Sequence, residues 1–123
     1  MTRTARIFGI LTAICLMVGG FFACDKPDNL PQLEIHVLNA DNQPVPGAYA
    51  ALFTSYEEWI SLENPVQVWR KADAAGQILF SNLDEIIYYI YVRSVETDNS
   101  LDEISTGQSL TVNERLVVFI HIQ

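Results

Sequence analysis

Apolar residues in this chain recur at every second position, in short segments broken by turn formers, and that period constrains the fold more than any other feature. Leu33, Ile35 and Val37 alternate with Glu34 and His36. Near the far end Leu116, Val118, Ile120 and Ile122 share one parity, while Val117, Phe119 and His121 share the other. A period of two puts one set of side chains on each face of an extended strand. Asp41-Asn42-Gln43-Pro44 supplies a turn, and Gly47 follows Pro46 before a second apolar run over 48–53. A third strand is expected at 66–72, and Asp73-Ala74-Ala75-Gly76 closes a hairpin onto 77–80, with Gly76 suited to a positive φ. The longest strand candidate is 86–95, dense in Tyr, Ile and Val; 110–112 and 116–122 follow, separated by Asn113-Glu114-Arg115. About seven short strands at this spacing predict an all-β, antiparallel sandwich. Residues 55–63 predict one or two helical turns between the second and third strands, and 96–106 an acidic loop.

The first 23 residues follow another rule. Arg3 and Arg6 precede an uncharged run over 7–23 that ends Gly19-Gly20-Phe21-Phe22-Ala23, and Cys24 and Asp25 come next. A basic start, an apolar stretch and a small residue before the cut describe a secretory signal. With a cysteine just after the small residue, the segment resembles the signal of a bacterial lipoprotein. Phe21 stands where an aliphatic residue is usual, as in the looser signals of Bacteroidetes. The resemblance implies cleavage before Cys24, a diacylglycerol on its sulfur and an acylated amine. The expected organisation is a signal over 1–23, lipidated Cys24 with a tether over 24–32, and one domain over 33–123, held in the cell envelope at the outer membrane. An uncleaved anchor and a plain secreted protein cut near Ala23 are the alternatives.

Cleavage there would leave 100 residues, enough for one small core. Both arginines of the signal would leave and all 15 acids would stay, giving five basic residues and a charge of −10. That balance excludes nucleic acid as a partner, whose phosphates need Lys and Arg, and argues against electrostatic binding to anionic lipid. Cys15 would leave with the signal, so Cys24 would be the single thiol, without an internal disulfide or a Cys-Cys zinc motif.

A second resemblance lies within the domain. Val37-Leu38-Asn39-Ala40-Asp41-Asn42-Gln43-Pro44-Val45-Pro46-Gly47-Ala48 is similar to the opening of carboxypeptidase-regulatory-like and Cna-B-type domains. Ala72-Asp73-Ala74-Ala75-Gly76-Gln77-Ile78-Leu79-Phe80 resembles their central hairpin, and Tyr88-Tyr89-Ile90-Tyr91-Val92 the strand after it. The resemblance covers most of 33–95. It implies a transthyretin-like (prealbumin-type) Greek-key sandwich, with Leu83 plugging one end and Phe80 and the tyrosine strand filling the core. The internal Lys–Asn bond of some Cna-B domains is not carried over, because 33–39 has no lysine and 116–123 no asparagine. Nor is the activity of transthyretin-like hydrolases, whose C-terminal tetrapeptide differs from Ile120-His121-Ile122-Gln123.

For catalysis, His36 and His121 are the available bases near neutral pH, and neither lies in a nucleophile motif. No catalytic residue and no cofactor is expected, a cryptic hydrolase being the least favoured reading. His36 and His121 could meet if the first and last strands pair, but two imidazoles make a poor metal site. Asp98, Asp102 and Glu103 lack the spacing of a calcium loop. Tyr56, Trp59 and Trp69 remain as candidates to stack on a sugar or on a partner's side chain. The competing expectation for Trp59 is burial over the open end of the core. Together these readings predict a non-catalytic, lipid-anchored interaction module whose partner is the bilayer through Cys24 and possible further partners an envelope protein or a glycan. The sequence leaves the oligomeric state open.

Overall fold

The computed structural model describes residues 29–123; the expected signal, Cys24 and tether residues 25–28 lie outside the described residues. In chain order the elements are β1 (Gln32–Leu38), β2 (Tyr49–Phe53), α1 (Tyr56–Ser61), β3 (Arg70–Lys71), β4 (Gln77–Phe80), β5 (Tyr89–Arg93) and β6 (Arg115–His121). They make two three-stranded sheets, one ordered β4-β1-β6 and the other β3-β2-β5. The inward parities of both sheets meet in one core. Leu33, Ile35, Val37, Ile78, Phe80 and Ile120 come from the first sheet, and Ala50, Leu52, Ile90 and Val92 from the second. Leu83 and Tyr88 join them, fully buried.

The expectation of a wholly antiparallel sandwich needs correction. β1 pairs with β6 in parallel, in register from Gln32↔Arg115 to Leu38↔His121. Parallel neighbours require a crossover connection, and here it is the whole segment 39–114, which contains β4 of the first sheet as well as all three strands of the second. The other pairings, β1–β4, β2–β3 and β2–β5, are antiparallel.

Three expected strands are also smaller than their composition suggests, and of the longest, 86–95, only Tyr89–Arg93 is strand. Of 66–72 only Arg70–Lys71 joins a ladder; before it, the Gln67 side chain donates to the Ser81 carbonyl at 2.7 Å. Residues 110–112 form no strand: the Leu110 N–H donates to Ile86 O, and the Leu110 side chain enters the core.

The hairpin before β4 is built as its sequence requires. Asp73 Oδ1 accepts the N–H groups of Ala75 and Gln77, both at 2.9 Å, and Gly76 takes φ +74°. A Cβ on Gly76 would stand 2.9 Å from Val37 O and 3.0 Å from Val45 N. Glycine is needed there twice over, for the left-handed backbone and for the close approach of β1.

Among the described residues no helix is long and apolar enough to cross a membrane.

Candidate functional site

The two sheets present different outer surfaces. Over β3-β2-β5 lies α1. Ser55 caps its start, its Oγ accepting the Glu58 N–H at 3.2 Å, and Leu62 ends it in the left-handed conformation. One helical turn brings Tyr56 and Trp59 onto one face. Their rings stack with centroids 5.7 Å apart and planes inclined by 16°. Trp59 packs on Ala51 and Phe53 in a second, smaller core on the outer side of the sheet. It is only 9% exposed, and its indole N–H donates to Ile90 O at 2.8 Å. Trp59 is therefore buried over the flank of the second sheet rather than over the open end of the sandwich.

Trp69 joins the same cluster through Tyr91, which lies on the outer side of the sheet with Tyr89 rather than in the inner core expected of the tyrosine strand, where only Tyr88 is found. The rings of Trp59 and Trp69 each meet Tyr91 edge-on, at 6.0 Å, and the Arg93 guanidinium lies 5.1 Å from the centre of Trp69. The signal for this face was the alternation Tyr89, Tyr91, Arg93 on β5, opposite in parity to buried Ile90 and Val92. The structure thus brings all three candidate stacking residues together. It closes one face of Trp59 with Tyr56 and leaves Tyr56 as the most exposed ring of this cluster, at 46%.

Below this cluster the loop after β5 is tied down by Asn99, which is fully buried. Asn99 Oδ1 accepts the Val92 N–H, and its Nδ2 donates to Ile90 O and to Glu103 O at 2.9 and 2.8 Å. Every polar atom of the amide is satisfied, so burial carries no unmet hydrogen bond. No spacing marked Asn99 in the sequence. Asp98 Oδ1 accepts the Ser100 N–H, which holds the carboxyl below the usual carboxylate range. Its other oxygen accepts from the Tyr91 hydroxyl, whose own ionisation is pushed up by burial first and by Asp98 second.

Among the described residues no helix lies over the outer surface of β4-β1-β6. Leu79, Val117 and Phe119 are exposed there, Phe119 to 59%. His36 shares this face, with its ring 4.8 Å from that of Phe119 and its Nε2 bonded to Glu34. Glu34 also pairs with Arg115 at 3.0 Å. The hydrogen bond from His36, and after it that from Arg115, holds the Glu34 carboxyl low.

His121 lies further along the sheet. Its backbone N–H donates to Asp102 Oδ2 at 2.7 Å, and its ring meets Asp102 and Asn42. Pairing of β1 with β6 thus puts both histidines on one face, but each is engaged by a different set of partners. Neither imidazole bonds a hydroxyl or a thiol among the described residues, the contact that would activate a nucleophile. Among those residues there is also no group of three or more His, Cys, Asp or Glu side chains that could hold a metal ion. The carboxylates of Asp98 and Asp102 serve their own loop and β6.

No family model matches the chain, and no curated protein matches it. Among solved structures it is similar to catechol 1,2-dioxygenase from Pseudomonas arvilla C-1, at 11% identity and a TM-score of 0.42. The match covers 78% of this chain and 53% of that one, so the chain spans about half the length of the structure it resembles.

Proposed function

We propose that the protein is a non-catalytic module of a bacterial cell envelope, lipid-anchored through Cys24, that works by binding another envelope protein on the bare face of its β4-β1-β6 sheet. The observation that carries this reading is the asymmetry of the two outer surfaces. One has α1 laid over it, with Trp59 buried beneath and Tyr56 and Ile60 exposed on the helix; the other has no helix among the described residues and leaves Leu79, Val117 and Phe119 exposed on the sheet itself. Val117 and Phe119 lie two residues apart on β6, with Glu34 and His36 of β1 between them and Leu79, and exposed apolar side chains rimmed by polar groups are expected where a partner docks. The engagement of His36 and His121 with polar neighbours favours a structural role for both. The anchor rests on the sequence around Cys24, which resembles a lipoprotein signal, and a transthyretin-like lineage for the sandwich rests on the separate resemblance over 33–95 to carboxypeptidase-regulatory-like and Cna-B-type domains.

Two measurements test the proposal. Intact-mass spectrometry of the membrane fraction should find acylated Cys24 at the new amino terminus, and Cys24→Ser should leave an unprocessed or released chain. A wild-type chain that still begins at Met1 with an unmodified thiol ends the anchor. For the surface, a photoreactive side chain at position 119 should cross-link to an envelope protein in the producing cells, whereas the same group at Glu57 should not. Equal labelling from both positions counts against the bare face.

A second reading draws on Tyr56 and on the Arg93–Trp69 pair, which set an exposed ring and a cation beside each other as a sugar site would. Tryptophan emission that shifts with added glycan would support it, and silence across a glycan panel would count against it.

A further inference from the structure

Among the described residues the bare sheet ends in an open edge. β6 pairs with β1 on one side only. Its even-numbered residues face β1 with their backbone groups, as the bonds from Gln32 N to Glu114 O and from Ile122 N to Leu38 O fix the alternation. Arg115, Val117, Phe119 and His121 therefore turn their N–H and C=O groups outward. The His121 N–H is taken by Asp102; those of Val117 and Phe119 meet no acceptor among the described residues. The strand reads Arg-Leu-Val-Val-Phe-Ile-His, seven residues without Pro, Gly or an inward-pointing charge. Natural edge strands usually carry such features to prevent pairing, and a long apolar edge without them is a template for another strand.

We propose that β6 pairs antiparallel with β6 of a second copy of this chain, with Val118 on the two-fold axis, joining the two sheets into one of six strands. This register is self-complementary in three respects. Val117 falls opposite Phe119 of the partner copy and Phe119 opposite its Val117, so the groups that turn outward can exchange hydrogen bonds in pairs. Side chains on the outer face then match as an aliphatic–aromatic pair twice over. At the ends, Arg115 of each copy comes opposite His121 of the other, beside which the Asp102 carboxylate stands, so a basic and an acidic group meet at both ends. A parallel mate would set like charges together instead. Leu116 and Val118 point inward yet are only half-buried, as expected of residues whose last neighbours lie across the edge.

This inference concerns the edge of the sheet, whereas the proposed function concerns its face, so either can fail alone. Pairing would leave the faces of both copies exposed side by side, doubling the platform.

The test uses the full chain in detergent. Val118→Cys should form a disulfide between two copies through position 118, identified by peptide mass spectrometry, because residues on the axis face one another. Leu116→Cys should not, since position 116 falls opposite 120. Light scattering should give a dimer for the wild type, and Phe119→Lys, at an exposed site that leaves the core intact, should weaken it on the order of tenfold or more. The amide hydrogens of Val117 and Phe119 should exchange faster on dilution. A monomeric wild type, or a linkage through 116 in place of 118, overturns the proposal. So does exchange at 117 and 119 that is slow and independent of concentration, which would mean that a segment of the same chain covers the edge.

Discussion

Gly76 is the position with the least freedom to change. Its φ of +74° already strains any other residue, and the carbonyl of Val37 and the amide of Val45 would crowd a Cβ from both sides. Gly76→Ala should lower stability by about 1 to 3 kcal/mol, and Gly76→Val by more, while Ala74→Ser, at an exposed site of the same turn, should be nearly neutral. Chemical denaturation of the three variants checks this; equal midpoints for Gly76→Ala and wild type would contradict the close approach. Trp59 is the complementary case, a large side chain whose removal empties a space. Trp59→Ala should cost about 3 kcal/mol or more. Trp59→Phe keeps a ring over Ala51 and Phe53 but loses the bond to Ile90 O, and should cost about 1 kcal/mol. A Trp59→Ala midpoint equal to wild type would remove the structural role and favour a ligand-facing one.

At the level of elements, β5 is an edge strand that the loop after it covers. Isolated bridges join Tyr89 to Ser105 and Arg93 to Asp98, and the Ile90 N–H donates to Ile104 O. Asn99 holds this cover in place from inside. Asn99→Ala should destabilise by about 2 to 4 kcal/mol, because it leaves buried backbone groups without partners. The loss should appear first as faster hydrogen exchange across 94–106. Uniform exchange rates with an unchanged midpoint would show that the loop does not depend on the amide. β6, the edge strand of the other sheet, has no comparable cover along its middle among the described residues, which leaves it the strand open to association.

For the whole molecule, the charge network predicts a stability plateau with two shoulders. Glu34 and Asp98 ionise more readily in the folded chain than in the unfolded one. The stability they contribute is present above the ordinary carboxylate range and is lost as pH falls through their lowered values. Tyr88 and Tyr91 are shifted the other way, chiefly by burial. Their contribution holds below the ordinary phenol range and is lost as pH rises through the raised values. Denaturation midpoints across pH should trace both limbs, and Asp98→Asn should flatten the acid one; an unchanged acid limb would show that Asp98 carries none of it. The strand parities, the hairpin at Gly76 and the short helix around Trp59 were legible in the residues alone. Each depends on residues near one another along the chain, through backbone sterics or a local period. That β1 and β6 run parallel, and that 66–69 and 110–112 leave the ladders, emerges only from how the two sheets pack. The same packing decided that Tyr89 and Tyr91 belong to an outer core while Tyr88 fills the inner one. Those outcomes depend on which faces meet across the sandwich, and the period of a single strand marks two faces without saying what will cover either.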